Sequence, residues 1–107
     1  MAAVDCGTLV NPDGVRAQCE GAVMDGLATV LHWRVPFEDG VVLPRNFDGF
    51  PLLRMREAPE VEVLLLPSGD PPTGMGEPPY PSVPPAITAA LHAATGRRYR
   101  NLPIGSA

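Results

Sequence analysis

Gly74-Met75-Gly76-Glu77-Pro78-Pro79 is the stretch of this sequence whose residue types best suit chemistry. The glycines flanking Met75 let the backbone approach a neighbour closely, while Pro78 and Pro79 each hold φ at about −65° and restrict the residue before them. Glu77 therefore sits on a hinged but stiffened loop, with its carboxylate aimed rather than free. Proton transfer is what an aimed carboxylate does when a reacting group lies within hydrogen-bond reach. Gln18 is the second candidate. It falls with Gly14, Gly21 and Asp25 at i, i+4, i+7, i+11 spacing, so small and polar residues share one flank of a helix. Glycine inside a helix costs about 0.5–1 kcal/mol relative to alanine, so Gly21 and Gly26 call for close packing by another element or a ligand. Gln18 stands ready to hydrogen-bond whatever fills that space.

The elements that would position these residues read as follows. Ala2 to Gly7 is a short apolar run closed by glycine, a strand that Thr8-Leu9-Val10 can extend. Asn11-Pro12-Asp13 supplies an N-cap, a proline for the first helical position and an acid for the positive first turn. The apolar residues Val15, Cys19, Ala22, Val23, Leu27, Val30 and Leu31 then fall at helical spacing. Glu38-Asp39-Gly40 between the apolar runs Trp33–Phe37 and Val41–Leu43 predicts a hairpin, with Pro36 and Pro44 each removing a ladder donor near its ends. Residues 46–55 show no clean period. Glu60 to Leu66 alternates and then turns wholly apolar, as a strand entering a core does. The proline-rich run from Pro67 to Pro85 reads as an ordered loop delivering Glu77 above a helix start, with Ser82 as N-cap and Gly96 as the stop.

Composition narrows the partners. A chain of 107 residues makes one small domain, and a net charge of −4 leaves no electrostatic footprint for nucleic acid or an anionic membrane. All the basic residues are arginine, and Arg97, Arg98 and Arg100 follow a helix end, where positive charge suits the dipole. Cys6 and Cys19 lack C-x-x-C spacing and read as buried thiols in a reducing compartment. His32 and His92 stand outside any motif and read as structural. No metal or iron–sulfur site can be assembled from such donors, so a metal would arrive with a ligand of its own. No stretch has the length of a membrane span and Met1 to Val10 is not a signal peptide, so the chain reads as soluble and cytoplasmic, or periplasmic if an exported partner carries it.

Taken in order, these segments resemble the C-terminal part of the molybdenum-binding subunit of the xanthine oxidase family, with particular likeness to the β subunits of isoquinoline 1-oxidoreductase and aldehyde-oxidising relatives. The resemblance is carried by Val4-Asp5-Cys6-Gly7, Val10-Asn11-Pro12, Ala17-Gln18-Cys19-Glu20-Gly21-Ala22, Asn46-Phe47, Pro51-Leu52-Leu53-Arg54-Met55, Ala58-Pro59-Glu60-Val61-Glu62-Val63 and Gly74-Met75-Gly76-Glu77-Pro78-Pro79. It implies that Glu77 is a catalytic base in the hydroxylation of an aldehyde or N-heterocycle. It also implies that Gln18, with Gly21 and Gly76 beside it, lies against a molybdopterin, in the cytosine dinucleotide form. The family's subunit is several times longer and takes its electrons out through iron–sulfur clusters held elsewhere. The resemblance therefore implies two partners, the remaining molybdenum-subunit chain and an iron–sulfur subunit, and a piece that is inert alone.

The expected architecture is α+β, an antiparallel sheet of about four strands with two helices on one face, forming a single domain over residues 1–107. A lobe that normally packs against other domains exposes apolar surface when isolated, so a homo-oligomer is expected of the chain alone. The alternative reading is a non-catalytic remnant or self-associating assembly module that keeps the fold.

Overall fold

The computed structural model describes residues 1–104. Its longest element, α1 (Pro12–Leu31), starts as its cap residues dictate: the Asn11 side-chain oxygen accepts from the Gly14 N–H at 3.1 Å, and Pro12 opens the helix. The second helix, α2 (Val83–Thr95), ends at Gly96, whose φ of 72° is left-handed and whose N–H donates to the His92 carbonyl. Ser82 does not cap this helix with its side chain. Its hydroxyl donates to the Pro79 carbonyl at 2.6 Å instead, inside a 3-10 turn (Tyr80–Ser82) that runs directly into α2.

The strands depart from expectation. Among the described residues four short ones form, β1 (Ala2–Val4), β2 (Phe37–Glu38), β3 (Val41–Val42) and β4 (Val63–Leu65), but they make two separate two-stranded sheets rather than one antiparallel sheet. β1 pairs with β4 in parallel, Ala2 opposite Val63 through Val4 opposite Leu65, because a crossover containing α1 returns the chain to the same end. β2 and β3 form the hairpin, with Phe37 opposite Val42 and Glu38 opposite Val41. Asp39 and Gly40 turn it with φ of 49° and 78°, the left-handed pair that a two-residue turn needs. Pro36 and Pro44 flank the hairpin and keep it short. Trp33, expected in a strand, closes the end of α1 and stacks on Phe50 with ring centroids 5.5 Å apart. Thr8 does not extend β1, since the chain turns at Gly7 and the Thr8 N–H and hydroxyl both donate to the Asp70 carbonyl.

The core is small. Cys19, Ala22, Ala28 and Val30 of α1 are buried with Cys6, Met75 and Val83. α2 crosses α1 at Gly26, where an added Cβ would stand 2.5 Å from the Val83 Cβ, so this helical glycine is explained by close packing. The surface totals 7609 Å², against about 5,700 Å² for a compact monomer of this mass. The radius of gyration is 16.3 Å, where about 13 Å is usual for this length.

Candidate functional site

The Glu77 loop is fixed on both sides. Before it, the segment around Gly7 crosses residues 70–73 so closely that a Cβ on Gly7 would collide with the Pro71 carbonyl oxygen, and the Thr73 N–H donates to the Cys6 carbonyl at 2.9 Å. Asp5 braces this crossing: its Oδ1 accepts from the Gly7 N–H and the Ser68 hydroxyl, each at 2.9 Å. Met75 is then buried to 4% exposure. After the loop, the Glu77 carbonyl accepts from the Tyr80 N–H at 2.9 Å, and the Tyr80 hydroxyl hydrogen-bonds the Thr29 hydroxyl on α1. Thr29 and Tyr80 lie 51 positions apart, and no sequence signal pointed to either.

This anchoring brings Gly76 against Gln18. A Cβ on Gly76 would lie 3.6 Å from Gln18 Nε2, so the loop and the α1 flank touch where neither helix spacing nor loop composition could show it. Glu77 and Gln18 are both exposed, and among the described residues neither side chain has a hydrogen-bond partner. Gly21, one turn along α1, is exposed too, with nothing within 4 Å of an added Cβ. The close approach expected there is not made by any of the described residues. Met75 and Pro78 wall a groove of about 760 Å³, whereas Gln18 and Gly14 wall a smaller hollow of about 300 Å³ with Cys6 and Thr73, so the loop stands as a ridge between two concavities.

Cys19, next to Gln18, points into the core. Burial, and secondarily Glu20, push its thiol pKa up, so it stays protonated and makes a poor ligand. No three His, Cys, Asp or Glu residues gather as a metal site would need, among the described residues. Gln18, Gly21, Gly76 and Glu77 together present an amide, two glycines without a Cβ and a carboxylate on exposed surface. His32 was expected to be structural and is: its Nε2 meets Glu57 Oε1 at 2.8 Å at the end of α1, pinning a 3-10 turn (Met55–Glu57) there.

The described residues thus form an α+β unit on which Gln18, Gly21, Gly76 and Glu77 are exposed. The chain belongs to the molybdopterin cofactor-binding domain family, whose model matches residues 1–59. It is 42% identical over 101 residues to the membrane-bound aldehyde dehydrogenase [pyrroloquinoline-quinone] of Gluconacetobacter polyoxogenes, covering 94% of this chain and 13% of that protein. It is 37% identical over 102 residues to the isoquinoline 1-oxidoreductase subunit beta of Brevundimonas diminuta, covering 95% and 13%. The quinoline 2-oxidoreductase of Pseudomonas putida 86 superposes with a TM-score of 0.80 at 26% identity, over 95% of this chain and 14% of that one. The chain thus spans about an eighth of the length of these relatives. No helix among the described residues is long and apolar enough to cross a membrane.

Proposed function

We propose that this chain acts as the C-terminal lobe of a molybdenum hydroxylase subunit, supplying the catalytic base and one wall of the molybdopterin site. The observation that carries the reading is the contact between the Glu77 loop and the Gln18 flank, on a surface that this chain leaves open. When bound, the molybdenum centre supplies the oxygen-transfer and two-electron redox chemistry. Glu77 accepts a proton at a carboxylate oxygen as an aldehyde or N-heterocycle is hydroxylated, and the loop anchors fix the backbone that carries it. Gln18 would hold the cofactor through its amide, with Gly21 and Gly76 leaving room for it beside the backbone.

In this reading the cofactor is the cytosine dinucleotide form, the remaining molybdenum-subunit chain closes the pocket, and an iron–sulfur subunit takes the electrons. The assembly works in the cytoplasm, or in the periplasm where an exported partner carries it, and the lobe alone is inert. The Gluconacetobacter relative is named for a quinone cofactor, so both cofactors belong in the assay. The test is a pull-down of the tagged chain from its native host, with molybdenum and quinone assayed and bound chains sized. Stoichiometric molybdenum with a large companion is the expected result; a metal-free chain recovered alone while neighbouring genes are expressed would sink the reading.

A second reading, a self-associating module without catalysis, draws on exposed apolar side chains. Met55, Phe37 and Phe47 are 91%, 73% and 68% exposed.

A further inference from the structure

The turn that follows Glu77 is tied to α1 by a pair of hydroxyls whose polarity can be assigned. The Thr29 hydroxyl donates to the Asp25 carbonyl at 3.0 Å. A hydroxyl carries one proton, so in the contact between Thr29 and Tyr80 the phenol is the donor and Thr29 the acceptor. Both side chains are half-buried, where a hydrogen bond is stronger than in open water. The Tyr80 N–H donates to the Glu77 carbonyl at 2.9 Å, and the two residues between them, Pro78 and Pro79, have fixed φ. Pro79 is buried, and its carbonyl accepts from the Ser82 hydroxyl at 2.6 Å. A displacement of the Tyr80 ring therefore passes to the Glu77 backbone with little slack. Thr29 also lies on the same flank of α1 as Gln18, three turns further on and about 16 Å along the axis. One helix thus carries both the amide that Gly76 meets and the anchor of the turn behind Glu77.

We propose that Tyr80, acting through Thr29, is a positioning residue for Glu77: the hydroxyl pair makes α1 a common ruler for the proton-accepting carboxylate and for Gln18. This role rests on the reading of Glu77 as the base and adds what sets its place. Tyr80 transfers no proton itself, since its phenol proton is engaged by Thr29. Cutting the tether leaves the base chemically intact but spreads its positions, and a misplacement of about 1 Å costs a reaction about 10²-fold in rate. The fold does not depend on the pair alone. Val83 packs against Gly26, one turn earlier on α1, so closely that an added Cβ would stand 2.5 Å from the Val83 Cβ. Tyr80→Phe and Thr29→Val should therefore leave both helices formed, with the wild-type circular dichroism spectrum.

Two measurements test this. In the isolated full chain, hydrogen exchange compares wild type with Thr29→Val, which leaves the Tyr80 amide chemically unchanged. That amide should exchange about three- to tenfold faster in the variant, and an unchanged rate overturns the tether. In the enzyme assembled in the native host, turnover is measured with benzaldehyde and quinoline as probes and ferricyanide as electron acceptor. Tyr80→Phe and Thr29→Val should each lower kcat by about tenfold at unchanged KM and molybdenum content, while Thr29→Ser, which keeps the hydroxyl, should hold the wild-type kcat. Tyr80→Phe added to Glu77→Gln should cost nothing further, because the tether then has no base to place. Molybdenum lost in step with kcat, or the full Tyr80→Phe loss repeated in the Glu77→Gln background, makes the pair merely structural and overturns the positioning role. Wild-type kcat in Tyr80→Phe while Glu77→Gln is impaired also overturns it and leaves Glu77 standing as the base. Wild-type turnover by Glu77→Gln, or a wild-type assembly without molybdenum or without turnover of either probe, overturns the reading of Glu77 and the positioning role with it.

Discussion

At Gly21 the α1 backbone faces open space, whereas at Gly26 an added Cβ would stand 2.5 Å from the Val83 Cβ. Alanine should therefore act with opposite sign at the two positions. Gly21→Ala gains helix propensity and should stabilise the isolated chain by about 0.5–1 kcal/mol. Gly26→Ala forces α2 away and should destabilise it by about 1–3 kcal/mol, both measured by denaturant titration. In the assembled enzyme Gly21→Ala should lower molybdenum content, because the methyl then meets what the isolated chain leaves out. Unchanged molybdenum there would argue against a cofactor on this flank. Under the proposed role of Glu77 as base, Glu77→Gln keeps the shape and removes the proton acceptor, so turnover of the assembled enzyme should fall by about 10²–10⁴-fold with molybdenum retained. Near wild-type turnover would remove Glu77 from the mechanism.

At the scale of elements, two side-chain pairs hold otherwise loose segments onto α1. The Tyr80–Thr29 hydroxyl pair fixes the turn that carries Glu77, and Tyr80→Phe should cost about 0.5–1.5 kcal/mol, with no further loss when Thr29→Val is added. The His32–Glu57 pair holds the segment before β4. The Arg54 N–H bond first, and His32 second, lower the Glu57 pKa. Because the folded-state pKa is depressed, the pair's contribution is present above the unfolded carboxylate value of about 4.3 and is lost as pH falls through the folded value. Acid unfolding of Glu57→Gln should accordingly show a weaker pH dependence below about pH 4 than wild type, followed by circular dichroism. Parallel slopes would show that the pair contributes nothing.

For the whole molecule, surface area and radius of gyration both exceed those of a compact chain of this mass. Little apolar area is left to offset conformational entropy, so stability should be low and coupled to association. Isolated, the chain should self-associate in a concentration series by analytical ultracentrifugation; a clean monomer throughout would show that the exposed apolar side chains are tolerated in water. The helices were legible because their signals are local: Asn11-Pro12 at one start, an apolar stripe, Gly96 at one stop. The hairpin was legible from Asp39-Gly40 for the same reason.

The parallel β1–β4 pairing was not legible, since alternation within Glu60–Leu66 says nothing about which strand lies beside it or in which direction. By itself the sequence determined the candidate residues Glu77, Gln18, Gly21 and Gly76 and the family they resemble, because motif order and helix period are properties of neighbouring positions. Only the tertiary structure decided that Gly76 meets Gln18, that Gly26 rather than Gly21 is packed, and that Tyr80 and Thr29 anchor the loop. Those contacts join residues dozens of positions apart, and their geometry follows from how α2 and the Gly7 crossing close onto α1.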